Sequence, residues 1–192
     1  HDQIGNRMLG ERLSTLVSFE SLKLASGVVL LSPYIPLLFM GEEYGEESPF
    51  LYFISHSDPA LIEAVRQGRK AEFHNFSWKE EPPDPQSVAT FLESKIDWEK
   101  RFEGYHKVLL DFYKKLITLR KTIPALSHLD KKNLAVDSLV VEKTIFVRRW
   151  KDPSHVFIIF NFNRTDVKII PPVLNGRWEK IIDSSERIWN GP

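Results

Sequence analysis

Apolar residues recur along the chain in two rhythms, and the rhythm changes near residue 126. The clearest stretch is residues 105–120. Tyr105, Val108, Leu109, Phe112, Tyr113, Leu116 and Ile117 fall at i, i+3, i+4, i+7, i+8, i+11 and i+12. That spacing predicts one apolar stripe on an amphipathic helix, with Pro124 stopping it. Residues 19–31 predict a second helix, with Leu22, Leu24, Ala25, Val28 and Val29 on a broad apolar face. Ser32-Pro33 ends it, because the residue before proline avoids the α region. Residues 35–40 (Ile-Pro-Leu-Leu-Phe-Met) are a short continuous apolar run before Gly41. Such a run suits a strand buried on both faces of a parallel sheet, so helix and strand read as the αβ half of a βαβ unit. Residues 1–18 are polar and read as a loop leading into the first helix.

Residues 42–104 hold no sustained period apart from a helical patch at about residues 59–70. Long plain loops are uncommon in compact domains. The aromatic residues Phe50, Tyr52, Phe53, Phe73, Phe76 and Trp78 therefore predict a packed segment. After residue 126 the period falls to 2. Residues 138–141, 145–150, 156–163, 167–170 and 178–182 read as strands, with Asp152-Pro153 and Asn175-Gly176 as turns. Asn-Gly is a strong signal for a two-residue hairpin. An α/β portion at residues 1–127 is thus expected before an all-β unit at residues 128–192.

Composition narrows the function. The 192 residues are 42% hydrophobic and 27% charged, which suits a globular protein. Lys plus Arg and Asp plus Glu both number 26, so no basic excess points to nucleic acid. With no cysteine, disulfide scaffolds, thiolate zinc sites and cysteine nucleophiles are excluded. The longest apolar run, residues 28–40, is broken by Ser32-Pro33 and Pro36 and falls short of the ~20 residues that span a bilayer, so no membrane partner is expected. No leader is visible, which points to a cytoplasmic protein. The chain opens on His, which suggests a piece of something longer.

Chemistry gathers at the start. His1-Asp2-Gln3 precedes a helix, where a (β/α)8 barrel strand would hand over to its helix and where barrel active sites lie. A His-Asp pair alone is a weak signal. The wider set is more specific: His1-Asp2-Gln3-Ile4-Gly5-Asn6-Arg7, Gly10-Glu11-Arg12-Leu13, and residues 31–45 with Gly41-Glu42-Glu43-Tyr44-Gly45. Over residues 1–126 the chain resembles the alpha-amylase superfamily, glycoside hydrolase family 13. Within it the likeness is strongest to members that release trehalose from maltooligosyl trehalose. Gly68-Arg69-Lys70 and residues 112–120 fit the same subfamily.

The resemblance implies the C-terminal part of a (β/α)8 barrel followed by an antiparallel β-sandwich domain, incomplete at its end. It implies a retaining hydrolase acting on an α-glucan or on maltooligosyl trehalose, with no cofactor and no metal. Asp2 would be the transition-state-stabilising carboxylate, holding the 2- and 3-hydroxyls of a sugar, and His1 would bond the same ring. Gln3 and Arg7 follow closely; each suits a substrate contact or a brace for the loop. The family's Gly-x-Arg-x-Asp nucleophile motif is absent, so nucleophile and general acid are expected upstream and the isolated chain is expected to be inactive. A glucan branching enzyme shares the architecture and stays open as an alternative.

Other candidates have two readings. Glu43 faces the active-site end of the barrel if residues 35–40 are a strand, as a substrate contact. Otherwise it belongs to a solvated loop with Glu46 and Glu47. Four glutamates without supporting His or Asp do not make a metal site. Phe50, Tyr52, Trp78 and Trp98 could stack on sugar rings, but packing of the loop is the better reading. Trp150, Trp178 and Trp189 read as packing residues. His106 reads as lying on the polar flank of the helix at residues 105–120 and takes no role. Asn75-Phe76-Ser77 and Asn163-Arg164-Thr165 match the glycosylation pattern by chance.

Overall fold

The computed structural model describes residues 2–73, 81–172 and 175–192. His1, Phe76, Trp78 and the Asn75-Phe76-Ser77 motif lie outside them. Two short helices, α1 (Asp2–Gly5) and α2 (Leu13–Leu16), stand where a plain loop was expected. Helix α3 (Phe19–Leu31) matches the expected span; the Ser18 hydroxyl caps it by accepting from the Ser21 amide at 3.3 Å. Then come α4 (Pro59–Phe73), α5 (Val88–Glu93), α6 (Gly104–Thr122) and α7 (Pro124–Ser127).

The expected stripe of α6 is its buried face, with Leu109, Phe112, Tyr113, Leu116 and Leu119 inside. Three strands follow: β1 (Leu134–Leu139), β2 (Thr144–Lys151) and β3 (Ser154–Asn161). They form one antiparallel sheet in the order β1-β2-β3. Asp152-Pro153 makes the tight β2–β3 connection, between the paired residues Lys151 and Ser154.

The period of 2 assigns the two sheet faces. Ile158 and Phe160 of β3, with Ile145, Val147 and Val156 beside them, join Leu22, Leu30 and Leu31 of α3 and the stripe of α6 in one core. Gly27 faces the Phe160 ring across this contact. On the other face Phe146 stacks with Phe157, which meets Trp178 edge-on. Trp189 packs edge-on against Phe112.

Three expectations are corrected. Residues 35–40 pair with no strand among the described residues; Ile35 is 82% and Leu37 92% exposed. An extended segment becomes a strand only when a neighbour accepts its backbone hydrogen bonds, and none lies beside it here. Residues 167–170 and 178–182 are likewise not strands, and no hairpin forms at Asn175-Gly176 among the described residues. Val167 and Ile169 do turn inward in alternation, but no sheet edge among the described residues takes their backbone. The described β portion is therefore a single three-stranded sheet packed on helices, not two sheets face to face.

Long cations tie these layers together. Arg149, on β2 and 1% exposed, donates to the carbonyls of Leu31, Ser32, Leu126 and His128 at 2.7–3.0 Å. Arg120 of α6 donates to Leu30 and Ser32, and also to Tyr34, at 2.5–2.7 Å. Together they satisfy carbonyls that a helix end leaves free, and they fix the exit of α3. Buried Lys23 does similar work at the C-terminal turn, donating to Ser184 and Trp189 carbonyls at 2.6 and 2.8 Å.

Candidate functional site

Two glycines shape the loop that follows residues 35–40. Gly41 and Gly45 both lie in the left-handed region, with φ of 84° and 72°. A Cβ on Gly41 would also lie 2.7 Å from Glu46 Cβ, so only glycine allows that approach. Between them Glu42–Tyr44 make a single 3-10 turn. The Glu46 amide donates to the Gly41 carbonyl at 2.9 Å, and the Gly45 amide to that of Glu42 at 3.1 Å. From α6, His106 Nδ1 meets the Tyr44 carbonyl at 2.9 Å. The Phe39 amide donates to Glu42 at 3.0 Å.

Glu46 is the centre of this loop, not a solvated charge. It is 1% exposed. Oε2 accepts from the Tyr44 hydroxyl at 2.9 Å and the Asp97 amide at 2.6 Å. Oε1 accepts from the amides of Glu47 and Ser48 at 2.8 and 2.9 Å. Burial by itself raises a carboxyl pKa, but the backbone donors of Ser48 and Asp97 and the Tyr44 hydroxyl outweigh it and hold Glu46 at about 2. The same contact pushes Tyr44 up, first through burial and then through the Glu46 carboxylate. Glu47 lies at the surface, takes the Tyr105 hydroxyl and pairs with Lys100 at 3.1 Å, and so is lowered.

The N-terminal segment closes on this loop. The Phe50 amide donates to the Gly10 carbonyl at 2.8 Å, and the Phe50 ring lies against Gly5. Buried Arg12 donates from Nε to the Ser48 carbonyl at 2.6 Å and from Nη1 to that of Met40 at 2.7 Å. The Ser14 hydroxyl donates to the Glu46 carbonyl. Residues 2–14 and 39–51 therefore form one unit.

The residues singled out from the sequence lie on it as follows. Asp2 is the first residue of α1, and Gln3 beside it is exposed. Half-buried Arg7 forms a two-pronged ion pair with Glu11, at 3.1 and 3.3 Å, which suits the brace reading. Glu43 is half-buried at the head of the glycine-bounded loop. It has no hydrogen-bond or ion-pair partner among the described residues. Beside the unit lies an open, mainly apolar cleft of about 380 Å³, lined in part by Met40, Phe50, Phe53, Phe91 and Trp98. Phe39, Phe50, Phe53 and Phe91 pack edge to face in succession, at 5.0, 5.9 and 5.2 Å, as the packing reading of this segment expects. Trp98 is half exposed.

Sequence reasoning missed three residues here. Glu46 stands among four glutamates in six positions and looks solvated. Arg12 looks like one more surface charge. His106 is not on a polar flank as expected but buried on the stripe of α6; its spacing, three residues before Leu109 and seven before Tyr113, carried that signal.

No family model matches the sequence. A malto-oligosyltrehalose trehalohydrolase from Rhizobium sp. (strain M-11) is 40% identical over 173 residues, 90% of this chain and 28% of that protein. One from Saccharolobus solfataricus is 51% identical over 121 residues, 63% of this chain and 20% of that protein. Among solved structures, a Salmonella typhimurium protein assigned as an alpha-amylase matches with a TM-score of 0.79 at 38% identity, over 92% of this chain and 30% of that one. The chain thus spans less than a third of the length of each relative.

Proposed function

We propose that this chain, a relative of the malto-oligosyltrehalose trehalohydrolases of the alpha-amylase superfamily, forms the C-terminal portion of a retaining glycoside hydrolase. The bond it serves to cut is the α-1,4 link beside the trehalose unit of maltooligosyl trehalose. The observation that carries this reading is the 40% identity sustained over 173 residues, far beyond any single motif.

In this reading α3 and α6 are barrel helices. The exposed Ile35 and Leu37 would meet neighbouring strands and helices supplied by the rest of the protein. Asp2 is the carboxylate that holds two sugar hydroxyls. Its bonds tighten as positive charge develops on the ring, so it binds the transition state better than the substrate. Gln3, Arg7 and Glu43 are the further candidates for substrate contact, and His1 is a candidate from the sequence likeness alone. Nucleophile and general acid, which must stand about 5 Å apart for retention, are assigned to parts of the protein outside these 192 residues.

Incubating the full-length protein with maltooligosyl trehalose tests the reading. Hydrolysis releases trehalose and creates one new reducing end for every bond cut. A branching enzyme would move the glucan to another chain with no gain in reducing ends. Glucan transfer of that kind, or no reaction, contradicts the proposal.

A further inference from the structure

The Gly41–Glu47 loop is held at both ends by one side chain. Arg12 is 3% exposed, and it lies 28 residues before Met40 and 36 before Ser48. Its Nη1 takes the carbonyl just before the loop and its Nε the carbonyl just after it, at 2.7 and 2.6 Å. The guanidinium carbon lies over the Phe39 ring, 5.2 Å from its centre. The remaining nitrogen, Nη2, is buried with no hydrogen-bond partner among the described residues. A buried guanidinium with an unmet donor is costly, so packing alone does not account for arginine at this position.

The loop so held presents one carboxylate that is not engaged. Glu42 accepts from the Phe39 amide, Glu46 from four donors, and Glu47 from Tyr105 and Lys100. Glu43 alone of the four has no such partner among the described residues. The positive charge of Arg12 acts on Glu42, Glu43 and Glu46 together. A planar fork meets two carbonyls in fixed directions, which a lysine ammonium cannot reproduce.

We propose that Arg12 is a positioning residue: it clamps the two ends of the Gly41–Glu47 loop so that the free Glu43 carboxylate is aimed at substrate. Arg12 itself, being buried, does not touch the sugar. The role rests on the hydrolase reading above. It adds that the aim of Glu43 is set from residue 12, on the same segment that carries Asp2.

A double-mutant cycle in the full-length protein tests it. The variants are Arg12→Met, Glu43→Gln and the pair, with kcat and KM measured on maltooligosyl trehalose. If Arg12 acts through Glu43, each single change lowers kcat/KM by about tenfold, chiefly through KM, and the pair costs about tenfold rather than about a hundredfold. Arg12→Lys, which keeps the charge without the fork, recovers only part of the loss. Should Arg12→Met fail to fold, the cycle is run with Arg12→Lys in its place, and the same lack of additivity is expected. Additive losses, or a silent change at either residue, overturn the proposal. Wild-type protein that leaves maltooligosyl trehalose intact sinks the hydrolase reading and this role with it. That result is seen before any variant is made.

Discussion

Four donors converge on the Glu46 carboxylate, and they decide its charge. Its pKa in the fold, about 2, lies below the ordinary 4.5, so the unfolded chain binds the proton more tightly. Its contribution to stability is therefore complete above about pH 4.5 and is lost as pH falls toward about 2. At neutral pH it is on the order of 3 kcal/mol. Glu46→Gln keeps the shape and removes the charge. Its melting temperature should lie below wild type at about pH 6, and the gap should narrow as pH falls to about 3. A gap that stays constant across that range would mean the carboxylate is not ionised in the fold. None of this was legible in the sequence. The donors are mostly backbone amides, which every residue has, and one comes from Asp97, 51 positions away.

At the scale of elements, local rules and long-range partners part company. Helices α3 and α6 could be read because their signals are local: an apolar stripe at helical spacing, with Ser32-Pro33 and Pro124 as stops. The strands β2 and β3 were legible for the same reason, through alternation and a tight Asp-Pro turn. Residues 35–40 were misread because a buried strand is a property of its neighbours, and its composition cannot supply them. Arg149 is the opposite case, a charged residue in a strand that looks like a surface position. It is instead the buried tie between sheet and helix. Arg149→Met fills the space but leaves the carbonyls of Leu31, Leu126 and His128 without that donor. Each buried acceptor left unmet costs roughly 1–3 kcal/mol. The variant should lose at least about 3 kcal/mol in denaturant unfolding; a loss under about 1 kcal/mol would show that water replaces the guanidinium.

Over the whole molecule, the sheet and the helices share one apolar core, and the N-terminal segment shares one hydrogen-bonded unit with the glycine-bounded loop. The proposed chemistry lies at that second unit. Of the site, the candidates Asp2, Gln3, Arg7 and Glu43 could be picked out from motif and likeness, because those residues occur at fixed places in the chain. The framework that aims them could not, since Arg12, Glu46 and His106 act by contacts 28 to 62 positions apart. The central claim is that Asp2 stabilises the transition state of glycoside hydrolysis. Replacing it by asparagine keeps the side chain's size and removes its charge. The measurement is the turnover of full-length Asp2→Asn protein on maltooligosyl trehalose, at a temperature where circular dichroism shows it folded. Turnover should fall by about a thousandfold or more, and a fall of less than about tenfold, roughly 1.4 kcal/mol, would contradict the assignment.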